Sequence, residues 1–371
     1  MAGIYIHVPF CVSKCHYCDF FKTTNTEMLN GYLDALMEEF LHRKNSFDEK
    51  ISTLYFGGGT PSLIPLPNYD AIFSRLKKLY QFIPDAEITI EANPDDLSSD
   101  YLMGLREIGF NRISIGIQSF HDDDLKRMGR RHTGQQAMQS VMAASDAGFN
   151  NISLDLIYGL SWSGTDKFVE NLKMLKDLPF QHLSAYHLTI EQGTNFYKQQ
   201  RKGKLREMDE DESLKQYLLL CEFAQNLGME HYEVSNFCLP GYISRHNSSY
   251  WDGTPYIGFG PGSHSFYGSS RYWNQSDLLS YIGKKFDLVR EQELLTSVNK
   301  FNELIMLGLR TKRGIDMSLV TTYFQNHFNA IMQKWVDNKF LYQEGSFLKC
   351  SEKGWFIVDA IIEDFFVDAD L

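Results

Sequence analysis

Cysteine is scarce, with six in 371 residues. Three of them, Cys11, Cys15 and Cys18, fall within eight residues, while Cys221, Cys238 and Cys350 are scattered, a distribution that excludes a disulfide framework. In a reducing compartment such a group points to metal, and isolated cysteines are ordinary small residues of core or surface. Positive charge is also short. The formal net charge of -11 excludes broad electrostatic binding to nucleic acid or anionic lipid, which needs a basic face. No stretch approaches membrane-spanning length, and the opening Met1-Ala2-Gly3-Ile4-Tyr5 lacks the basic segment and apolar run of a signal peptide, so a cytoplasmic protein is expected. Internal repeats and low-complexity tracts are missing as well.

What remains is a globular composition, 43% hydrophobic, 14% aromatic and 22% charged, in a chain long enough for one large domain with a smaller appendage. β-rich runs at 4–8, 53–56, 87–91, 112–117, 151–156 and 182–186 alternate with helical patterns. Between the first two, Met28, Leu29, Tyr32, Leu33, Leu36, Met37, Phe40 and Leu41 keep helical spacing, and Thr24 with Glu27 predicts a capping box. Two later helices end at Gly109 and Gly148, where a left-handed cap fits. Six βα units predict a parallel sheet curled into a partial (βα)6 barrel, with a doubly wound sheet as the alternative. From residue 301 onward, helical patterns at 301–309, 317–324 and 330–338 lead into a hairpin around Gly345 and a last helix at 355–366, a winged-helix-like α+β outline. Residues 290–371 hold nine Lys or Arg against twelve Asp or Glu, the wrong sign for reading phosphates, so no nucleic acid is expected. The division expected is 1–190, 191–298 and 299–371.

Unusual residues fall just past the strand ends: the three cysteines, Gly57-Gly58-Gly59-Thr60-Pro61, Glu91, Gln118 and Asp155. Each alone is a loop glycine or a capping carboxylate. Together they point to the C-terminal face of a barrel, where such folds place their chemistry.

The spacing C-x3-C-x2-C lets three thiolates wrap a 4Fe-4S cubane and leaves one iron open to another molecule. A structural zinc with His7 or His16 as fourth ligand is the competing reading, although zinc motifs usually bring two spaced ligand pairs.

At this loop the sequence resembles the radical S-adenosylmethionine (SAM) superfamily. Tyr5-Ile6-His7-Val8-Pro9-Phe10-Cys11, the glycine loop, Ser114-Ile115-Gly116-Ile117-Gln118-Ser119-Phe120 and Asp155-Leu156-Ile157-Tyr158-Gly159-Leu160 are similar to the branch containing oxygen-independent coproporphyrinogen III oxidase. The resemblance implies that the open iron chelates SAM and that Tyr5, Tyr17, Gly57, Gly58, Gly59, Thr60, Glu91, Gln118, Arg130 and Asp155 line its site. Arg130 also has a bland reading, as part of the solvated charge run 126–131. The sequence departs from that branch at Ser161, where proline usually follows the leucine.

Two features separate the chain from the oxidase. Phe20 stands where the oxidase has a fourth cysteine, and the motif strand begins at Ile4, so the oxidase's preceding segment is expected to be missing. Both match the HemW-type heme chaperones, as does His246-Asn247-Ser248-Ser249-Tyr250-Trp251, of the pattern H-N-x-x-Y-W. That resemblance implies heme as ligand, heme-accepting proteins as partners and a cluster-linked homodimer. His246 is then the candidate iron ligand, with Tyr250 and Trp251 as porphyrin-stacking surfaces and Arg245 as a propionate partner. His231, His264 and Cys238 are alternative ligands, and a histidine that merely anchors its loop is the plain alternative. The other function class is a radical enzyme that decarboxylates a porphyrinogen.

Overall fold

The computed structural model describes residues 1–46, 48–287 and 290–368. Six parallel strands lie side by side in sequence order: β1 (Ala2–Val8), β2 (Ile51–Gly58), β3 (Phe82–Ala92), β4 (Arg112–Gln118), β5 (Ile152–Tyr158) and β6 (His182–His187). The order never reverses, which separates this sheet from a doubly wound one. Helices cross back between them: α1 (Leu29–His42), α2 (Leu66–Leu79), α3 (Ser99–Ile108), α4 (Asp122–Met128), α5 (Gly134–Asp146) and α6 (Gly164–Leu175).

Alternation along each strand sorts the side chains into two faces. Ile4, Ile6, Leu54, Phe56, Ile90, Ile113, Ile115, Leu154 and Leu183 are fully or almost fully buried against the helices, which return Tyr32, Leu36, Phe40, Tyr69, Ile72, Leu102 and Leu105. The concave face is polar. In register across it lie Tyr5 beside Tyr55, Tyr55 beside Thr89, Thr89 beside Arg112, and higher up Glu91 beside Ser114 and Asp155 beside Ser184. A polar lining is what a barrel interior needs to hold a charged ligand, and it leaves the hydrophobic drive to the outer layer.

Residues after β6 extend the sheet at both edges. Helices α7 (Asn195–Arg201) and α8 (Glu210–Asn226) lead to β7 (Glu230–Glu233) and β8 (Asn236–Cys238), and β8 pairs antiparallel with β6. Helix α9 (Arg245–Asp252) then runs to the other edge, where β9 (Tyr256–Phe259) pairs parallel with β1. β10 (His264–Tyr267), β11 (Ser270–Asn274) and, after α10 (Leu278–Ile282), β12 (Arg290–Leu294) complete an open sheet of twelve strands. The added strands are fastened to α1 by buried Glu39. Its carboxylate accepts from Arg43 at 3.0 Å, Asn274 at 2.9 Å, the Gly260 N–H at 2.9 Å and the Tyr281 hydroxyl at 2.7 Å.

The C-terminal unit holds α11 (Ser297–Leu309), β13 (Ile315–Asp316), α12 (Gln325–Asp337), the hairpin β14 (Leu341–Glu344) and β15 (Phe347–Cys350), then α13 (Glu352–Phe356) and α14 (Val358–Phe365). Its sheet order β13-β15-β14 is that of a wing. It docks on β7 through two backbone bonds of 2.9 Å, from Val234 N–H to the Arg310 carbonyl and from Lys312 N–H to the Tyr232 carbonyl.

Three local expectations differ. Thr24 and Glu27 form no capping box: Asn25 accepts from the Glu27 N–H at 3.3 Å and caps a short 3-10 turn ahead of α1. At 317–324 only a 3-10 turn, Met317–Leu319, forms, because the β-branched run Val320-Thr321-Thr322 follows and Val320 is extended at φ -73° and ψ 112°. The last helix is broken at Ile357, φ -114°. Gly109 and Gly148 do terminate their helices with positive φ, 121° and 87°.

Candidate functional site

The cysteine loop leaves β1 and is clamped at its base by Cys11 N–H to the Thr23 carbonyl, 2.9 Å, and Thr23 N–H to the Pro9 carbonyl, 2.7 Å. Its tip is pinned to the end of α4, where His16 N–H reaches the Met128 carbonyl and the His16 ring the Arg127 carbonyl, both at 2.8 Å. Cys11, Cys15 and Cys18 all open into one cleft of about 440 Å³ at the C-terminal ends of the strands. The Thr60 hydroxyl donates to the Cys11 sulfur and Arg130 Nη1 to the Cys15 sulfur, each at 3.5 Å. Burial pushes the Cys11 thiol up, and the Thr60 bond acts against it.

Among the described residues no three His, Cys, Asp or Glu side chains draw together as ligands of a single ion. The thiols stand around the cleft wall. A cubane meets each thiolate at a different iron, so its ligands stand apart, and donors aimed at the sulfurs are what thiolate ligands take from their surroundings. This donor set fits a cluster.

The same cleft is lined by Tyr17, Gly58, Gly59, Thr60, Glu91, Gln118, Arg130 and Asp155. Glu91 accepts from the Tyr55 hydroxyl at 2.7 Å and from the Gly58 N–H at 3.1 Å. Burial raises its pKa to about 7, with nearby Asp155 adding to the rise. Asp155 accepts from Ser114 at 3.0 Å, and burial lifts it to about 6. Two carboxylates therefore stand ready to take hydroxyl or ammonium donors from a ligand, which would favour their charged forms. Gly58 has φ 110°, and a Cβ there would lie 2.6 Å from the His7 ring, so only glycine turns the loop toward Glu91 at this point. Gln118 also sits in the left-handed region, φ 62°, an unfavourable backbone state held at the site.

Arg130 is drawn out of its charge run: Nη2 donates to Asn93 Oδ1 and to the Gly116 carbonyl, both at 2.7 Å. Its neighbour Arg131 takes the surface role, pairing with Asp95 at 2.6 Å and Asp96 at 3.0 Å. Asn93 also donates to Thr60, 3.2 Å. Asn93 was missed from sequence, although its place just after β3 was the available signal. Tyr5 and Gly57 do not line the cleft. The Tyr5 hydroxyl bonds His7 Nδ1 at 3.1 Å, and its ring belongs to the barrel interior.

The second motif lies at the opposite end of the barrel. Helix α9 closes the floor: Glu87 of β3 accepts the N–H groups of Arg245 and His246, both at 3.0 Å. His246 enters the barrel and stacks on Tyr55 at 4.9 Å, with Nδ1 bonded to Thr53 at 2.8 Å and Nε2 to the Tyr250 hydroxyl at 3.0 Å. The expected iron ligand is thus sealed, 1% exposed, with both ring nitrogens occupied. It can ligate iron only by leaving the floor. Arg245 likewise pairs with Asp85, 3.3 Å. Tyr250 and Trp251, however, line a cleft of about 730 Å³ between α9 and α11, with Arg271, Lys300 and Lys312 at its rim. Tyr250 also lines a slot of about 370 Å³ that reaches Phe20, Phe21 and His264.

Residues 5–163 match the radical SAM superfamily and residues 295–357 the HemN C-terminal domain. The chain is 34% identical to heme chaperone HemW of Lactococcus lactis over 98% of this chain and 97% of the relative. It is also 34% identical to HemW of Bacillus subtilis over 85% of each. The structure of coproporphyrinogen III oxidase (HemN) from Escherichia coli superposes with a TM-score of 0.85 at 24% identity, covering 100% of this chain and 90% of that one, a likeness of fold.

Proposed function

The chain belongs to the HemW family within the radical SAM superfamily, and we propose that it is a heme chaperone. It holds a 4Fe-4S cluster on Cys11, Cys15 and Cys18, seats SAM in the same cleft, and passes heme to acceptor proteins. The observation that carries the first part is the convergence of three thiols, Glu91, Asp155 and Arg130 on one cleft at the top of a half-open barrel. When bound, the cluster supplies an open iron for the amino and carboxylate groups of SAM's methionine. The protein's own residues do the rest. Gly58 presents its backbone, Glu91 and Asp155 accept hydrogen bonds from the ligand, and Arg130 holds the Cys15 sulfur and balances the negative charge of the thiolates.

For heme, support comes from the aromatic surfaces of Tyr250 and Trp251 on open clefts, in a chain similar over nearly its whole length to named heme chaperones. His246 stands behind them as a brace, fixing Tyr250 through its hydroxyl. The test is an anaerobic preparation analysed for iron and sulfide, titrated with heme, and assayed with reductant, SAM and coproporphyrinogen III. Four irons and four sulfides per chain, retained heme and no turnover are expected. Stoichiometric zinc without sulfide would sink the cluster, and robust protoporphyrinogen formation would replace the chaperone with a radical decarboxylase.

A further inference from the structure

Heme iron needs a ligand with a free lone pair, and the structure separates the candidates near the aromatic motif. Cys238 is fully buried on β8. The His231 ring is packed between Phe237, 4.1 Å away, and Trp355, 4.2 Å away. His246 has both nitrogens bonded inside the barrel. His264 differs from Cys238 and His231 in being exposed on β10, and from His246 in that, among the described residues, neither of its ring nitrogens makes a hydrogen bond; its ring stacks on Trp273 at 6.2 Å.

The surroundings suit a flat apolar ligand. His264 stands at a slot of about 370 Å³ whose lining includes Tyr250, Tyr256, Phe20 and Phe21. Phe20 is 64% exposed, a large apolar ring left uncovered two residues after Cys18. Aromatic walls of this kind grip a porphyrin edge by face and edge contacts. Partial desolvation of the ring and nearby Arg271 both push the His264 pKa down, which favours the neutral imidazole, the form that binds iron.

We propose that His264 is the axial ligand for heme iron, with one edge of the porphyrin seated against the aromatic side chains of Tyr250, Tyr256, Phe20 and Phe21 that line the slot. The inference rests on the heme-chaperone reading and deepens it by placing the heme seat. Because Phe20 and Phe21 directly follow the cysteine loop, heme and cluster share one wall.

The experiment compares wild type with His264→Ala and His264→Gln by heme titration, Soret spectrum and low-temperature electron paramagnetic resonance of the ferric form, with iron and sulfide content measured in each. Both variants are expected to bind heme at least tenfold more weakly with a shifted Soret band and an altered ferric signal. Added imidazole should restore the wild-type spectrum to His264→Ala. Wild-type affinity and spectra in both variants would overturn the His264 assignment while leaving the chaperone reading standing. Wild-type protein that binds no heme would overturn both. Loss of heme affinity with equal loss of circular dichroism and no rescue by imidazole would count as a folding effect and reject ligation.

Discussion

At the scale of single residues, Glu91 links the site to pH. Its folded pKa, about 7, lies above the ordinary value of 4.5, so the folded protein holds this proton more tightly than the unfolded chain does. The stabilisation is complete below the unfolded value and is lost as pH rises through about 7, on the order of 3 kcal/mol in total. Asp155, lifted to about 6, slopes the same way. Urea unfolding of the apoprotein at pH 5 and pH 8 should show the loss, and Glu91→Gln should remove the larger part of it. An unchanged slope in the variant would place the linkage elsewhere. Single Cys11→Ala, Cys15→Ala or Cys18→Ala substitutions should each abolish cluster assembly, since two thiolates leave a cubane underligated. Cys221→Ala should keep full iron and sulfide, because that residue lies on α8, away from the loop. Strand-end position made the cysteines, Glu91, Gln118 and Asp155 legible in the sequence. Arg130 was ambiguous there because it lies in the charge run 126–131, and only its bonds to the Gly116 carbonyl and the Asn93 amide oxygen draw it inward.

At the scale of elements, the six βα units could be read because their outward faces are apolar and their helices periodic. The orientation of α9 could not. His246 and Tyr250 are four apart and so share a helix face, but what that face meets depends on Glu87, 159 residues earlier in the chain. Glu87→Ala removes the acceptor for two N–H groups at the start of α9 and should cost roughly 1–2 kcal/mol by urea denaturation. Tyrosine fluorescence should report a loosened Tyr55–His246 stack. No change in either would mean that α9 holds the floor through its side chains alone. The 317–324 segment illustrates the opposite limit. Its apolar spacing is helical, yet the β-branched run ends the turn after Leu319.

For the whole molecule, the likeness of fold to a coproporphyrinogen oxidase does not carry its chemistry. Phe20→Cys restores the oxidase-like fourth cysteine, but the slot around it remains aromatic, with Phe21, Tyr250 and Tyr256 unchanged. We expect no gain in coproporphyrinogen turnover, measured anaerobically with SAM and reductant; a clear gain would assign the difference between the two activities to this position. Among the described residues no helix is long and apolar enough to cross a membrane. The wing-like C-terminal unit was legible from its element order. Its docking on β7 was not, because it joins residues far apart in the chain, by the backbone bonds of residues 232–234 with 310–312, the Lys312–Glu230 pair at 3.1 Å and the packing of Trp355 on His231 at 4.2 Å.

The passage of the chain from β8 at one edge of the sheet to β9 at the other has a mechanical consequence. An open half-barrel can splay, but here the strap that joins its two margins runs beneath the floor and carries a plug, His246, anchored to β2 and β3. Drawing out the plug releases the strap from β2 and β3, so we expect opening of the barrel floor and exposure of the His246 ring to occur together. Amides of residues 245–252 should therefore exchange with solvent at the same rate as the first turns of β1 to β3, and a ligand that locks the upper cleft should slow both together. Exchange of α9 that runs ahead of those strands would show that the strap slackens on its own.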